Sequence, residues 1–178
     1  MINEQISDCS FSIPDGLKIP AAAKSHPLLV AELNFGEEVT ENKWLSELLK
    51  GKSLAEFGCN LGLRAAFLAP YTRQIFCTDP DGVCLRLARE TLQLNKRRNV
   101  VVVDQITQTV SADALLWDTR RYGNESLPEL TLQTALLIVT GPLPRSTASK
   151  VLDAGYEHLS QYHRAAVFAA PRGQHGVQ

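Results

Sequence analysis

Apolar positions along the chain follow two rhythms. In residues 41–50, Trp44, Leu45, Leu48 and Leu49 fall at i, i+1, i+4 and i+5, one face of a helix. Thr40 is placed to cap that helix and Gly51 to end it. Beyond it, short apolar runs alternate with helical stretches. Ser53–Phe57, Gln74–Thr78, 99–103, 135–139 and Ala165–Ala169 read as strands. Residues 61–69 (stopped by Pro70), 81–95 and 147–162 read as helices. Val83, Leu87, Thr91 and Leu94 share one side of the second; Val151, Leu152, Gly155, Tyr156 and Leu159 share one side of the third. Strands with no polar alternation are buried on both faces, so helices must cover both sides of the sheet. Strand alternating with helix means βαβ units. The pattern therefore predicts a doubly wound α/β fold, parallel in the order 3-2-1-4-5, with Ser53–Phe57 in the interior. Residues 1–32, punctuated by Pro14, Gly16, Pro20 and Pro27, are expected to be an irregular N-terminal segment, and 33–178 a single domain. Residues 119–134 read as an exposed connection.

Composition changes this picture little. The 178 residues are 44% hydrophobic and 21% charged, which suits one domain with a real core. A net charge of -1 gives no bulk signal for nucleic acid. Arg97-Arg98 and Arg120-Arg121 read as solvated basic pairs. The four cysteines, Cys9, Cys59, Cys77 and Cys84, form no C-x-x-C pair and so no zinc site of the usual spacing. They are expected to be reduced and buried, in a cytoplasmic protein. No apolar run reaches membrane-spanning length, and the N-terminus lacks the apolar core of a signal peptide.

The chemistry begins where the first strand breaks, in "SLAEFGCNLG". Gly58 tolerates positive φ and a close ligand, and the following helix offers free N–H groups. Asp79 closes the second strand, where dinucleotide-binding folds keep an acid for ribose hydroxyls. Yet Gly-Cys-Asn-Leu-Gly fails the G-x-G-x-x-G nicotinamide fingerprint. Glu56 also puts an acid in the strand itself, which suits a cationic ligand rather than a pyrophosphate. S-adenosylmethionine (SAM), with an ammonium, a sulfonium, a ribose and no phosphate, meets both conditions.

The segment "LAEFGCNLGL" resembles motif I of the class I, seven-strand SAM-dependent methyltransferases, and "IFCTDPDGVCLRLARETLQLN" is similar to their second motif. The stretch "SADALLWD" resembles the segment that follows their third strand, with Asp113 at the position that meets adenine. Within that class, "GEEVTENKWLSELL" and Trp117 look like the methyltransferase-like protein-lysine methyltransferases. The resemblance covers roughly residues 33–172. It implies a Rossmann-like fold, SAM as cofactor, a protein side chain such as lysine as substrate, and a cofactor site of Glu56, Gly58, Cys59, Asn60, Gly62, Asp79, Asp113 and Trp117. Several of these also have purely structural uses: the glycines in a turn, Asp79 as a helix cap, Cys59 as a small filler, Trp117 as core. The chain departs from the family in two expected ways. The fourth strand ends in Thr140-Gly141-Pro142 with no acid, and almost no residues are left for the C-terminal antiparallel strands, which are expected to be missing. No catalytic base is assigned. The sequence thus supports either an active enzyme or a degenerate methyltransferase-like binding protein. The apolar edge of the fifth strand calls for a partner or a second copy.

Overall fold

The computed structural model describes residues 10–12, 16–27, 36–106, 110–122 and 134–170. A short antiparallel pair, β1 (Ser10–Ser12) and β2 (Lys18–Pro20), comes first, followed by a 3-10 turn over Ala21–Ser25. This segment, expected to be irregular, packs into the domain. Leu17, Ile19 and Ala23 are buried in the main core, and the Lys18 N–H donates to Asn95 Oδ1 at 2.9 Å. Helix α1 (Gly36–Leu48) precedes β3 (Ser53–Phe57), α2 (Leu63–Leu68), β4 (Gln74–Thr78), α3 (Gly82–Leu94) and β5 (Val100–Val102). Then come β6 (Ala114–Asp118), α4 (Thr119–Tyr122), β7 (Leu136–Thr140), α5 (Arg145–Asp153), β8 (Glu157–Tyr162) and β9 (Ala165–Ala169).

The large sheet has seven strands in the order β5-β4-β3-β6-β7-β9-β8. All neighbours are parallel except β9, which runs antiparallel to both β7 and β8. Every residue of β3 and β6 is buried, as parallel strands covered on both faces must be. Side chains alternate between the faces. Leu54, Ala114, Leu116 and Ile138 join the core beneath α2 and α3. Ala55, Phe57, Leu115, Trp117 and Val139 join the opposite core with Val151 of α5.

The doubly wound α/β expectation holds, but three details of it do not. The parallel order 3-2-1-4-5 read from the sequence omits β6, which lies between the first strand and the one taken as fourth, and its fifth strand, Ala165–Ala169, is antiparallel to both neighbours. The stretch 147–162 is not one helix. Gly155 adopts φ 87, and the Tyr156 N–H bonds back to the Val151 carbonyl at 3.3 Å, which closes α5 and releases 157–162 as β8. The antiparallel strands expected to be missing are therefore present, as β8 and β9. Consequently the edge of Ala165–Ala169, read as open for a partner, is covered by β8 of the same chain. No helix among the described residues is long and apolar enough to cross a membrane.

Candidate functional site

Inserting β6 moves every later strand end by one place. The fourth parallel strand ends in Trp117-Asp118, so the acid that seemed absent is Asp118. It faces the same side of the sheet as Glu56, two residues into the neighbouring strand pair, where Glu56 partners Leu116 in register.

The loop after β3 is built tightly. Gly58 (φ 93) and Cys59 both donate their N–H to the Thr78 carbonyl, at 2.9 and 3.1 Å. Asn60 (φ 49) donates its N–H to Asp79 Oδ2 at 3.0 Å. Gly62 (φ 77) is needed for packing as well as conformation: a Cβ there would stand 3.0 Å from Ala88 Cα on α3. The structure thus brings Glu56, Gly58, Cys59, Asn60, Gly62 and Asp79 to one place. Cys59 is a buried filler; its thiol is pushed up by a hydrogen bond with Cys77 and by burial. Cys59, Cys77 and Cys84 are free and buried, while Cys9 lies outside the described residues.

Two predicted site residues are elsewhere. Asp113 precedes β6 at the amino edge of the sheet, opposite the loop. Its Oδ2 accepts from the Ser53 N–H (2.7 Å), the Ser53 hydroxyl (2.8 Å) and Arg73 Nη2 (3.0 Å). The Ser53 bonds, more than the nearby Arg73 charge, hold its carboxyl below the usual range. Asp113 ties strand starts together, at the edge of the sheet away from Gly58–Gly62 and Asp79. Asp113→Ala is therefore expected to lower folding stability by roughly 1–3 kcal/mol, as charged hydrogen bonds do when lost, and to leave ligand affinity at the loop unchanged. Thermal unfolding and calorimetry check the two halves. Trp117 is wholly buried on the face opposite Glu56, in the core with Phe57 and Val139. At the actual end of the third strand stands Asp104, exposed and paired with Arg89 at 2.8 Å.

Sequence reading also missed the arginines. Three acids converge on the loop, and an arginine answers each. Arg64 of α2 lies 3.7 Å from Glu56 and 3.9 Å from Asp118. Burial opposes its charge, but Asp118, Glu56 and Glu41 more than offset that. Arg120 chelates Asp118, with Nε to Oδ1 at 2.9 Å and Nη2 to Oδ2 at 2.6 Å. Arg121 clasps Asp79 in the same bidentate way, at 3.2 and 2.6 Å. That bond outweighs partial burial in raising the Arg121 pKa. All of α4 is pinned: the Thr119 hydroxyl reaches the Thr140 and Pro142 carbonyls (3.1 and 2.8 Å), and Tyr122 stands edge-on to Phe57 at 5.7 Å. A Cβ on Gly58 would meet Asp118 Cβ at 2.8 Å and Arg121 Cβ at 3.0 Å, so α4 occupies the space that this glycine leaves.

The charges do not balance equally at the two ends of the site. Asp79 has four donors, the Asn60 and Asp81 N–H groups and two from Arg121. Glu56 has none: both its oxygens, and Asn60 Oδ1, are buried without a hydrogen-bond donor. Burial raises the Glu56 carboxyl from its ordinary 4.5 to about 7, despite the opposing pull of Arg64. Orphan acceptors on Glu56 and Asn60, four residues apart across the end of β3, call for a ligand group with several N–H donors. An ammonium, such as the one on the methionine end of SAM, fits that requirement. A ribose at Asp79 fits once Arg121 has moved off it.

No protein-family model matches the chain, and no curated protein matches it in sequence. Solved structures do match. A SAM dependent methyltransferase from Aquifex aeolicus superposes with a TM-score of 0.60 at 16% identity, over 82% of this chain and 98% of that one. The N-methyltransferase NodS from Bradyrhizobium japonicum gives 0.58 at 16% identity, over 76% and 96% of the two chains. The M. jannaschii protein TYW2, solved in complex with AdoMet, gives 0.56 at 13% identity, over 90% and 84%. At such identities the likeness establishes architecture: this chain has the Rossmann-like, seven-strand fold shared by SAM-dependent methyltransferases.

Proposed function

We propose that the protein is a SAM-dependent methyltransferase acting on an amine, such as a protein lysine side chain. The observation that carries the reading is the buried trio of unpaired acceptors, Glu56 Oε1, Glu56 Oε2 and Asn60 Oδ1, at the end of β3 in a methyltransferase fold. When bound, SAM supplies a methyl already activated on its sulfonium. The chain's own residues do the rest by placement. Glu56 and Asn60 hold the ammonium, and Asp79, released by Arg121, takes the ribose. An amine acceptor comes in over the same carboxyl edge. There Trp44 stacks on Tyr162 at 5.2 Å, and Tyr162 is placed in register with Ala165 and, through it, with Thr140 at the end of β7. The apolar surface of these rings desolvates the amine and so favours its neutral form, the proton leaving to solvent from a free pKa of about 10.4, which the nucleophile requires.

A second reading is favoured by the bidentate Arg121–Asp79 pair: a methyltransferase-fold protein that has closed its ribose seat and acts by binding. Incubation of the purified chain with methyl-labelled SAM and cell lysate separates the two. The enzyme reading expects label in protein that hydrolyses to methylated lysine. Label confined to nucleic acid overturns the amine assignment, and SAM binding with no transfer to any lysate fraction favours the second reading.

A further inference from the structure

Arg97 and Arg98, read in the sequence as a solvated pair, line a groove. It has a volume of about 540 Å³ and lies between the last turns of α3 and β5. Arg89, Lys96, Arg97 and Arg98 line it over a floor of Val100 and Val102, and no carboxylate is in its lining. In a chain of net charge -1 this is a local concentration of cations. Of these cations, Arg89 is paired with Asp104 at 2.8 Å. Among the described residues, Lys96, Arg97 and Arg98 take part in none of the ion pairs. Arg97 Nε is buried with no acceptor, so the site holds a donor that its own fold leaves unsatisfied. Local backbone geometry fixes the turn that carries these residues. Lys96 sits at φ 55, and the Arg97 N–H bonds to the Leu92 carbonyl at 2.9 Å, which turns the chain sharply from α3 into β5.

The cations are spread along the strand direction. Arg97 and Arg98 stand before the amino end of β5, and Arg89 meets Asp104 past its carboxyl end. β5 pairs only with β4 among the described strands, so the groove lies at the edge of the sheet. We propose that this groove binds the sugar–phosphate backbone of a nucleic-acid strand. Cations spread along a whole strand exceed what one phosphate group engages and match a row of them. The valine floor gives the sugars an apolar surface, and the groove leads toward the carboxyl edge where Glu56 and Asp79 lie. The inference does not depend on methyl transfer.

Fluorescence anisotropy of the full chain with a short mixed-sequence oligoribonucleotide, and with its deoxy counterpart, tests it. Binding is expected at about 50 mM KCl and should weaken steeply toward about 200 mM, as phosphate contacts require. The Arg97→Gln/Arg98→Gln pair should weaken it roughly tenfold or more and reduce the salt slope by about 1–2. Arg98→Gln alone, at an exposed position, and Arg89→Gln should each act in the same direction. Lys150→Gln, an exposed charge on α5, should change nothing. Absence of binding at low salt, or equal loss with Lys150→Gln, overturns the proposal. Displacement of the oligonucleotide by inorganic pyrophosphate at equal concentration also overturns it, in favour of a small-anion site. A preference between the ribo and deoxy strands identifies which nucleic acid is bound.

Discussion

Replacing Arg121 by alanine is expected to lower folding stability by roughly 2–5 kcal/mol, the range for breaking a desolvated ion pair, while tightening SAM binding. Stability falls because Asp79 is buried and loses its two guanidinium bonds, of 2.6 and 3.2 Å, keeping only backbone donors from Asn60 and Asp81. Partial exposure of the Arg121 side chain (17%) places the effect toward the lower end of that range. Binding tightens because Arg121 and a ribose compete for the same carboxylate. A ligand that must first displace an intramolecular partner sees its affinity reduced by the fraction of open molecules, and removing the partner restores it. About a tenfold gain is expected, the scale of one charged hydrogen bond. Asp79→Ala gives the opposite result on binding with a similar loss of stability. Chemical denaturation and calorimetry on the two variants measure both effects. Equal, weakened affinity in both would show that α4 helps to form the ribose seat and does not block it.

Glu56→Gln is expected to change the pH dependence of both stability and binding. The folded protein keeps a proton on Glu56 that the unfolded chain releases, because burial raises this carboxyl from 4.5 to about 7. With more protons bound in the folded state, stability falls as pH rises from 4.5 through 7 and then levels off. The full span of that loss is about 3 kcal/mol. In the glutamine variant the descent should vanish, so the variant gains on the wild type by up to about 3 kcal/mol between pH 4.5 and 8. Binding responds in the other direction. An ammonium pairs with the ionised carboxyl, so wild-type affinity for SAM should climb with pH up to about 7. The variant should bind about 10–100-fold more weakly at pH 8, the cost of one lost charge-assisted hydrogen bond. Its affinity should no longer vary over that pH range.

Much of this site was legible in the sequence because the elements around β3 are locally determined. Ser53–Phe57 is an apolar run with a single acid, and the turn after it needs positive φ at Gly58 and Gly62. Asp79 and the α3 cap Asp81, which accepts from the Val83 N–H at 2.8 Å, follow in sequence. What was lost began with one strand. Ala114–Asp118 is short, and its acids at 113 and 118 made "SADALLWD" resemble a loop segment. Its buried core of Leu115, Leu116 and Trp117 was the available signal, since a run buried on both faces is what a parallel strand looks like. Missing it put Thr140 where Asp118 stands and sent Asp113 to the wrong edge. Asp104, the acid that stands past the end of the third strand, follows the β-branched run 100–103, just as Asp79 follows Thr78. β8 was hidden because Tyr156 and Leu159 continue the helical spacing of α5; only Gly155 marks the break. The guanidinium clasps were beyond sequence reading, since Arg121 lies 42 residues from Asp79 and nothing local pairs them.

Calorimetric titration of SAM into the wild-type chain at pH 6 and pH 8, in buffers of different ionisation enthalpy, tests the central claim most directly. That claim is that the Glu56 carboxyl, which receives no hydrogen bond, is the seat of a cationic ligand. The account predicts one SAM per chain, tighter at pH 8, with a fraction of a proton released per SAM bound at pH 6 that is absent in Glu56→Gln. No heat of binding at either pH, or binding of equal strength and proton count in the two proteins, would contradict it.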